Sequence, residues 1–414
     1  MQSKIQQVPG NITWTGPLSF LTGFSAFFPI GIVYLIWLSF AAIITILPNN
    51  RKQLKTVLHH PVTIIILIPI GLAAISTFIH GLHEQTATRL FHTFRNGAII
   101  FTGLIISQRQ RDLVLRGVLF GALYAVSIIF IHHFVIDLPL LSPYDDLLRV
   151  QGNAGSQKMI LLATTGGLAF WLALCSNNQR ERFFYLLFWA ITSVTVATHA
   201  ISRNAYLITL ILPAFALLYR FRQPKGIAIA SLLFSALLFI VWFGSETVRT
   251  RTHQAISELR LLHDEGIYNG STNARAQMML EASKQMMQHP LFGTGTGSWL
   301  EHWRIVARNT PEVAEINNPH NDYLLAGMEN GIPGLLALLG MMTAFLYINW
   351  KANDRWGGLA FLVTVSVGIT AAINAPFRDA VLGMALVWLM AAFTRLSISQ
   401  TTSGNDIRPR PRGQ

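Results

Sequence analysis

Charge is scarce in this chain: 12% of its residues are Asp, Glu, Lys or Arg, and only 19 are acidic. A water-soluble domain carries about twice that charged fraction, which argues against a soluble enzyme fold. Cysteine is nearly absent. The one thiol, Cys175, lies in an apolar stretch and can close neither an intrachain disulfide nor a cysteine cluster for zinc. The chain is instead rich in apolar residues, at 52% of the total, with a mean hydropathy of +0.44. They fall into runs of roughly 17 to 20 residues, enough to cross a hydrocarbon core of ~30 Å. The pattern predicts an all-α integral membrane protein.

The runs are Leu18–Leu47, Pro61–Phe78, Leu90–Ser107, Leu113–Ile136, Met159–Cys175, Phe183–Thr198, Ala205–Tyr219 and Gly226–Phe243, then, after a polar gap, Pro333–Ile348, Gly357–Ile373 and Ala380–Thr394. The first is too long for one ordinary span. Pro29 and Gly31 lie in its middle, so two short helices joined by a break are expected there, for about twelve spans in all. No small-x-small cleavage pattern follows residues 1–17, so the first run is expected to remain in the membrane.

With the N-terminus in the cytoplasm, the inner loops hold Arg51, Lys52, Lys55, Arg109, Arg111, Arg180, Arg182, Arg220, Arg222, Lys225, Lys351 and Arg355. The short outer loops hold almost none, and 137–156 is acidic, which fixes the expected orientation. Much of the formal charge of +12 is thereby a topology signal and gives no reason to invoke nucleic acid. The resulting division is a cytoplasmic tail (1–17), nine spans (18–243), an outer loop (244–318), an outer helix with three spans (319–396) and a cytoplasmic, Arg- and Pro-rich tail (397–414) next to membrane lipid. Some cations break the rule: Arg89, Arg95, Arg203, Arg378 and a cluster from Arg249 to Arg308 face outward. Together they point to an anionic ligand, although any single one could be a solvated or snorkelling anchor.

The outer loop is the only extramembrane stretch long enough to fold. Ser245–His263 and Ser271–Gln288 carry apolar residues at helical spacing, and Ser271 or Thr272 would cap the second helix with Arg275 in its first turn. Its Met278, Met279 and Met286 read as packing surface. The segment PLFGTGTGSW (Pro290–Trp299) has phosphate-loop glycines but no following Lys and no preceding strand, so it reads as a tight turn before a helix over Ser298–Arg308. Then comes NNPHNDYLLAGMENGIPGLL, Asn317–Leu336. Asn318 suits an N-cap and Pro319 the first helical position, which would put His320 and Asn321 in the first turn. The helix dipole there disfavours imidazolium, making His320 a neutral base poised near pH 7. Gly331 should end the helix and Pro333 open the next span.

About twelve spans, one large late outer loop, the Ile201-Ser202-Arg203 triplet, Arg275, the glycine turn, PHNDYL and the downstream Glu329-x-Gly331 together resemble the O-antigen ligase and polymerase family. The resemblance covers the whole architecture, although its motifs are short. It implies a GT-C-like glycosyltransferase of the bacterial inner membrane with a periplasmic site. It would transfer O-antigen from an undecaprenyl pyrophosphate donor to a lipid A-core acceptor without nucleotide, metal or other cofactor. By the same resemblance Arg203, Arg275 and His320 occupy functional positions.

The chemistry is consistent with that implication. Breaking an anomeric carbon–pyrophosphate bond needs charge stabilisation on the departing phosphates and a base for the incoming hydroxyl. Arginine forks grip phosphate in place of a divalent metal, so Arg203 and Arg275 are assigned to pyrophosphate, His320 to the acceptor proton, and attack opposite the leaving group would invert the centre. Arg95 is a further candidate for phosphate, against an interhelical hydrogen bond; Asn321 and Tyr323 would orient His320 or bind sugar. Metal ligation is disfavoured: His80 with His83, His132 with His133, and Asp145 with Asp146 form no compact ligand set. A polymerase differs from a ligase only in its acceptor. A transporter or flippase of an anionic lipid would need related repeats and mid-membrane charges, which the span centres scarcely offer.

Overall fold

The computed structural model describes residues 15–135, 153–223 and 271–396, apart from 201 and 381, with scattered residues between 226 and 257. Its regular structure there is helical throughout. The first apolar run breaks as its Pro demands: α1 (Thr15–Phe24) passes through a 3-10 turn (Ser25–Phe27) before Pro29 precedes α2 (Ile30–Ile46). Then follow α3 (Pro48–Leu58), α4 (Val62–His80), α5 (Thr86–Leu104), α6 (Gln108–Phe134), α7 (Asn153–Cys175), α8 (Gln179–His199) and α9 (Arg203–Arg220). The large late loop contributes α10 (Ser271–Gln288), α11 (Trp299–Val306) and α12 (Pro311–Ala314), and the described residues close with α13 (Asp322–Ala352), α14 (Arg355–Ile373) and α15 (Leu382–Phe393). The helix expected over Ser245–His263 lies largely outside the described residues.

Among the described residues, five helical stretches are long and apolar enough to cross a membrane: Val62–His80, Gln108–Ile131, Gln157–Cys175, Asp322–Ala352 and Arg355–Ile373. A sixth is reached if α2 and its bent continuation are one span. Helices α5, α8 and α9 coincide with apolar runs but carry terminal or internal arginines, among them Arg89, Arg95, Arg182 and Arg220, and α15 is short.

Small residues let the helices approach closely, as they must where lipid gives apolar faces no reason to associate. A Cβ on Gly117 would lie 2.0 Å from the Phe20 carbonyl oxygen, and one on Gly23 would lie 2.2 Å from that of Val114. Backbone oxygens cannot step aside. Gly117→Leu is therefore expected to separate α1 from α6, costing at least the ~1–3 kcal/mol typical of overpacking and visible as a lower fraction of monodisperse protein in detergent. At the opposite end of the bundle from the loop, polar groups lock helix ends. Arg111 donates to the carbonyls of Ala392 and Thr394, satisfying the C-terminus of α15, and Arg222 stacks between Tyr219 and Trp350, 4.3 Å from each ring centre.

The loop has its own small core. Trp299 and Trp303 stack with ring centres 5.5 Å apart and are fully buried with Met278, Ala282, Leu325 and Met328. Their indole nitrogens donate to the Ile316 and Val313 carbonyls, so each buried polar edge is satisfied. The methionine stripe is packing surface, and this core seats the loop helices on the N-terminal half of α13.

Candidate functional site

The break in α13 organises the site. Gly331 takes φ 72 and ψ −172, and Pro333 has no N–H, so the carbonyls of Met328 and Glu329 lose their helical donors. The glycine turn supplies replacements. Thr294 N–H donates to the Met328 carbonyl at 2.8 Å and Gly295 N–H to that of Glu329 at 3.2 Å, while Ile332 N–H reaches the Pro290 carbonyl at 2.7 Å. Gly293, Gly295 and Gly297 all have positive φ, and a Cβ on Gly295 would lie 2.4 Å from His83 Nε2. The turn is thus a plug for a broken helix. Gly295→Val is expected to cost ~1–3 kcal/mol through strain and overpacking, read as a lower unfolding temperature in detergent.

The sequence places the start of α13 too early. Helical geometry begins at Asp322, and the N-cap is Asn321, whose Oδ1 accepts from Leu324 N–H at 3.0 Å. Asn318 instead accepts from His320 N–H at 2.9 Å, and His320 stands outside the helix with φ 53. A left-handed backbone at a non-glycine residue is costly and here is held by the Asn318 turn. His320 is half-buried, and its Nδ1–H donates to Asn374 Oδ1 at 3.4 Å, leaving Nε2 as the acceptor. Burial first, then the Arg275 charge and more weakly that of Arg378, outweigh the Asn374 bond and push its pKa down to about 4. The ring is neutral at pH 7, but its pKa lies well below the value near 7 expected from the sequence. The cause differs from the one the sequence offers: desolvation and neighbouring guanidinium groups lead.

Arg275, half-buried in α10, is pushed below the ordinary arginine range by burial and by the Arg203 charge. Arg203 is exposed at the first position of α9, where the helix dipole already disfavours a cation. Its neighbour Asn204 is buried, and neither side-chain polar atom has a hydrogen-bond partner among the described residues. The fold therefore gathers Arg203, Arg275, His320 and Arg378 into one electrostatic neighbourhood from four separate segments. Repulsion gathered at a surface in this way is relieved by a multivalent anion.

The remaining candidates are placed differently. Arg95 is buried and donates to Tyr34, Asn96 and the carbonyls of Phe377 and Asp379, the interhelical bonding that was its alternative reading. Asn321 caps α13 and ties it to the Ala372 carbonyl at 3.0 Å. The Tyr323 hydroxyl donates to the Gly368 carbonyl at 3.2 Å. Asn374 is absent from the sequence-based set. An asparagine just beyond a helix has too many ordinary uses to be singled out without knowing what faces it.

Residues 186–339 match the family model described as O-Antigen ligase. The matched stretch contains Arg203, Arg275, His320, Glu329 and Gly331, while Asn374 and Arg378 lie beyond it. No curated protein matches the chain.

Proposed function

Residues 186–339 make this chain a member of the O-antigen ligase/polymerase family, and from that premise we propose that it is the ligase. In this reading it transfers O-antigen from undecaprenyl pyrophosphate to the lipid A-core oligosaccharide at the periplasmic face of the inner membrane. About twelve spans in a GT-C-like arrangement, with both termini cytoplasmic, would place the loop and His320 on that face, consistent with cations concentrated on the inner loops. The observation that carries the mechanism is a neutral His320 with Nε2 available beside Arg275, which in turn feels Arg203.

Nε2 takes the proton of the acceptor hydroxyl as its oxygen attacks the anomeric carbon. The carbon–oxygen bond to the pyrophosphate breaks and the electron pair leaves with the phosphate, whose growing charge the two guanidinium groups stabilise. Attack from the face opposite the leaving group inverts the centre. The charge stabilisation in this scheme comes from arginine and needs neither a metal nor ATP.

The test is lipopolysaccharide laddering in a ligase-deficient host with compatible sugars, with lipid-linked glycan followed in parallel. Wild-type protein is expected to restore the ladder. Arg275→Lys, at equal membrane abundance, keeps the charge but loses the fork, and is expected to leave polymerised lipid-linked chains unused, with transfer slowed on the order of 10²-fold by misplacement of the leaving group. A wild-type protein that instead lengthens lipid-linked chains and never joins them to the core would establish the polymerase.

A further inference from the structure

Helix α10 has two faces, and the transfer mechanism accounts for neither. One packs against α13 through Met278, Ala282 and Met286. On the other, Leu280 and Met287 are 65% and 68% exposed, with the exposed Lys284 between them. Helical spacing puts these three positions within about 60° of one another, as a single stripe. The glycine turn that follows α10 adds Leu291, 68% exposed, and the exposed Phe292. Large apolar side chains left bare side by side mark a surface that meets an apolar partner.

Hydrogen bonds fix how deep this surface lies. The Ser76 hydroxyl of α4 donates to the Glu329 carbonyl at 2.8 Å and reaches that of Phe292 at 3.4 Å, and Thr296 donates to the Ala73 carbonyl at 3.1 Å. The turn is therefore level with residues 73–76, about 6 Å short of the C-terminal end of α4 along its axis. Helix α4 is long and apolar enough to cross a membrane, and its side chains exposed at that level, Ile75, Phe78 and Ile79, are apolar. On the other side of the turn, Ile332 N–H takes the Pro290 carbonyl, and the exposed Ile332, Leu336 and Leu339 begin the bare face of the second half of α13. Leu291 and Phe292 thus continue two lipid-facing surfaces at a depth those surfaces already reach. The backbone of the turn also meets the demand a bilayer makes, that irregular chain bond its polar groups within the protein. The His289 carbonyl accepts from Gly293 N–H at 3.0 Å and the Pro290 carbonyl from Ile332 at 2.7 Å, while Thr294 and Gly295 donate to α13. Lys284 fits the same setting, because its stem can follow the apolar stripe while its ammonium reaches lipid phosphates.

We propose that the second half of α10 and the glycine turn are seated in the phospholipid leaflet at the loop's end of the bundle, with Leu280, Met287, Leu291 and Phe292 against its acyl chains. The loop is then a monotopic membrane element and not a soluble cap, and the helix that carries Arg275 is held to the bilayer by its opposite end. The proposal does not depend on the transfer reaction.

The test uses the full chain in vesicles of phosphatidylcholine and phosphatidylglycerol, with Cys175→Ala removing its one thiol. A nitroxide is attached to Met287→Cys, Leu291→Cys, Phe78→Cys or Glu315→Cys, one at a time. Its relaxation by oxygen, which concentrates in lipid, is compared with that by a water-soluble nickel chelate. Phe78, 91% exposed on α4, is the lipid reference, and Glu315, exposed and paired with Arg304, is the water reference. All four side chains are exposed, so the labels should leave the fold intact. The oxygen-to-nickel ratio at Met287 and Leu291 is expected to match that at Phe78 and to exceed that at Glu315 roughly threefold or more. A ratio equal to that at Glu315 would show a face bathed in water and overturn the proposal. Low accessibility to both reagents would show a protein surface over the face, such as a second copy of the chain, and would overturn it equally. No glycan is transferred in this measurement, so its failure is distinct from failure of the ligase reading, which the ladder reports.

Discussion

Replacing His320 with asparagine is expected to slow glycan transfer about 10²- to 10⁴-fold, the contribution of a positioned general base, while leaving membrane abundance unchanged. Asparagine is the informative substitution because the residue sits at φ 53, a conformation asparagine tolerates better than most. Alanine would lose the base and strain the backbone together. The pH dependence should carry the same signature. In the free enzyme the His320 pKa is about 4, so kcat/KM should stay flat as pH falls from 8 to about 5 and drop as it passes through about 4, where Nε2 acquires a proton. In the proposed mechanism the donor's phosphates would offset the Arg275 charge that helps hold this value down, so the acidic limb of kcat should lie at higher pH than that of kcat/KM. Asn374→Asp places a carboxylate against Nδ1 and should move both limbs upward. Stability follows the same sign: a histidine near 6.5 when unfolded and near 4 when folded binds its proton preferentially in the unfolded chain, so this contribution is complete above about 6.5 and is lost as pH falls toward 4. A pH profile unaltered by Asn374→Asp would remove His320 from the proton transfer.

Helix positions are legible in the sequence because they depend on one-dimensional patterns. Apolar runs locate α4, α6, α7 and α14, and Pro29 and Gly331 mark breaks that occur where local backbone chemistry demands them. The glycine turn reads correctly as a turn, but its purpose is hidden, since the carbonyls it satisfies belong to a helix more than thirty positions later. The start of α13 is misplaced because Asn318 and Asn321 are both credible caps. Which one wins is decided by the Asn321–Ala372 tether, a contact with another helix. Asn374 as the partner of His320 has no sequence signal at all. The two meet where the start of α13 and the segment after α14 converge, and polar residues near span ends are too common to be paired by inspection. The case of Glu329 is intermediate: it stands out within the Glu-x-Gly element, and Arg89 stands out as an outer cation, but nothing in the sequence joins them.

Joining them gives the largest expected effect on stability. Arg89 Nε and Glu329 Oε1 are 2.8 Å apart, with side chains 5% and 6% exposed, and the pair links α5 to α13 just before the Gly331 break. Truncating Glu329 to alanine leaves a guanidinium buried without its carboxylate, which for a pair of this kind costs about 3–5 kcal/mol. Such a loss should appear as reduced membrane abundance and a sharply lower unfolding temperature in detergent. The attraction between the partners should account for only part of it, because most of the cost is the desolvated charge left behind. Hence Arg89→Met with Glu329→Met is expected to be less destabilised than Glu329→Ala, and the double-mutant cycle should show strong coupling. Asp322 opens the same half of α13, and its carboxylate accepts from Phe377 N–H at 2.8 Å, which connects this ion pair to the segment bearing Asn374. The Met/Met variant, if folded, is therefore expected to bind donor but to transfer more slowly than wild type, because the pair anchors the N-terminal half of α13, which follows His320 directly and meets the segment bearing Asn374 through Asp322. A double variant with wild-type turnover would confine the ion pair to folding and remove it from the positioning of the base.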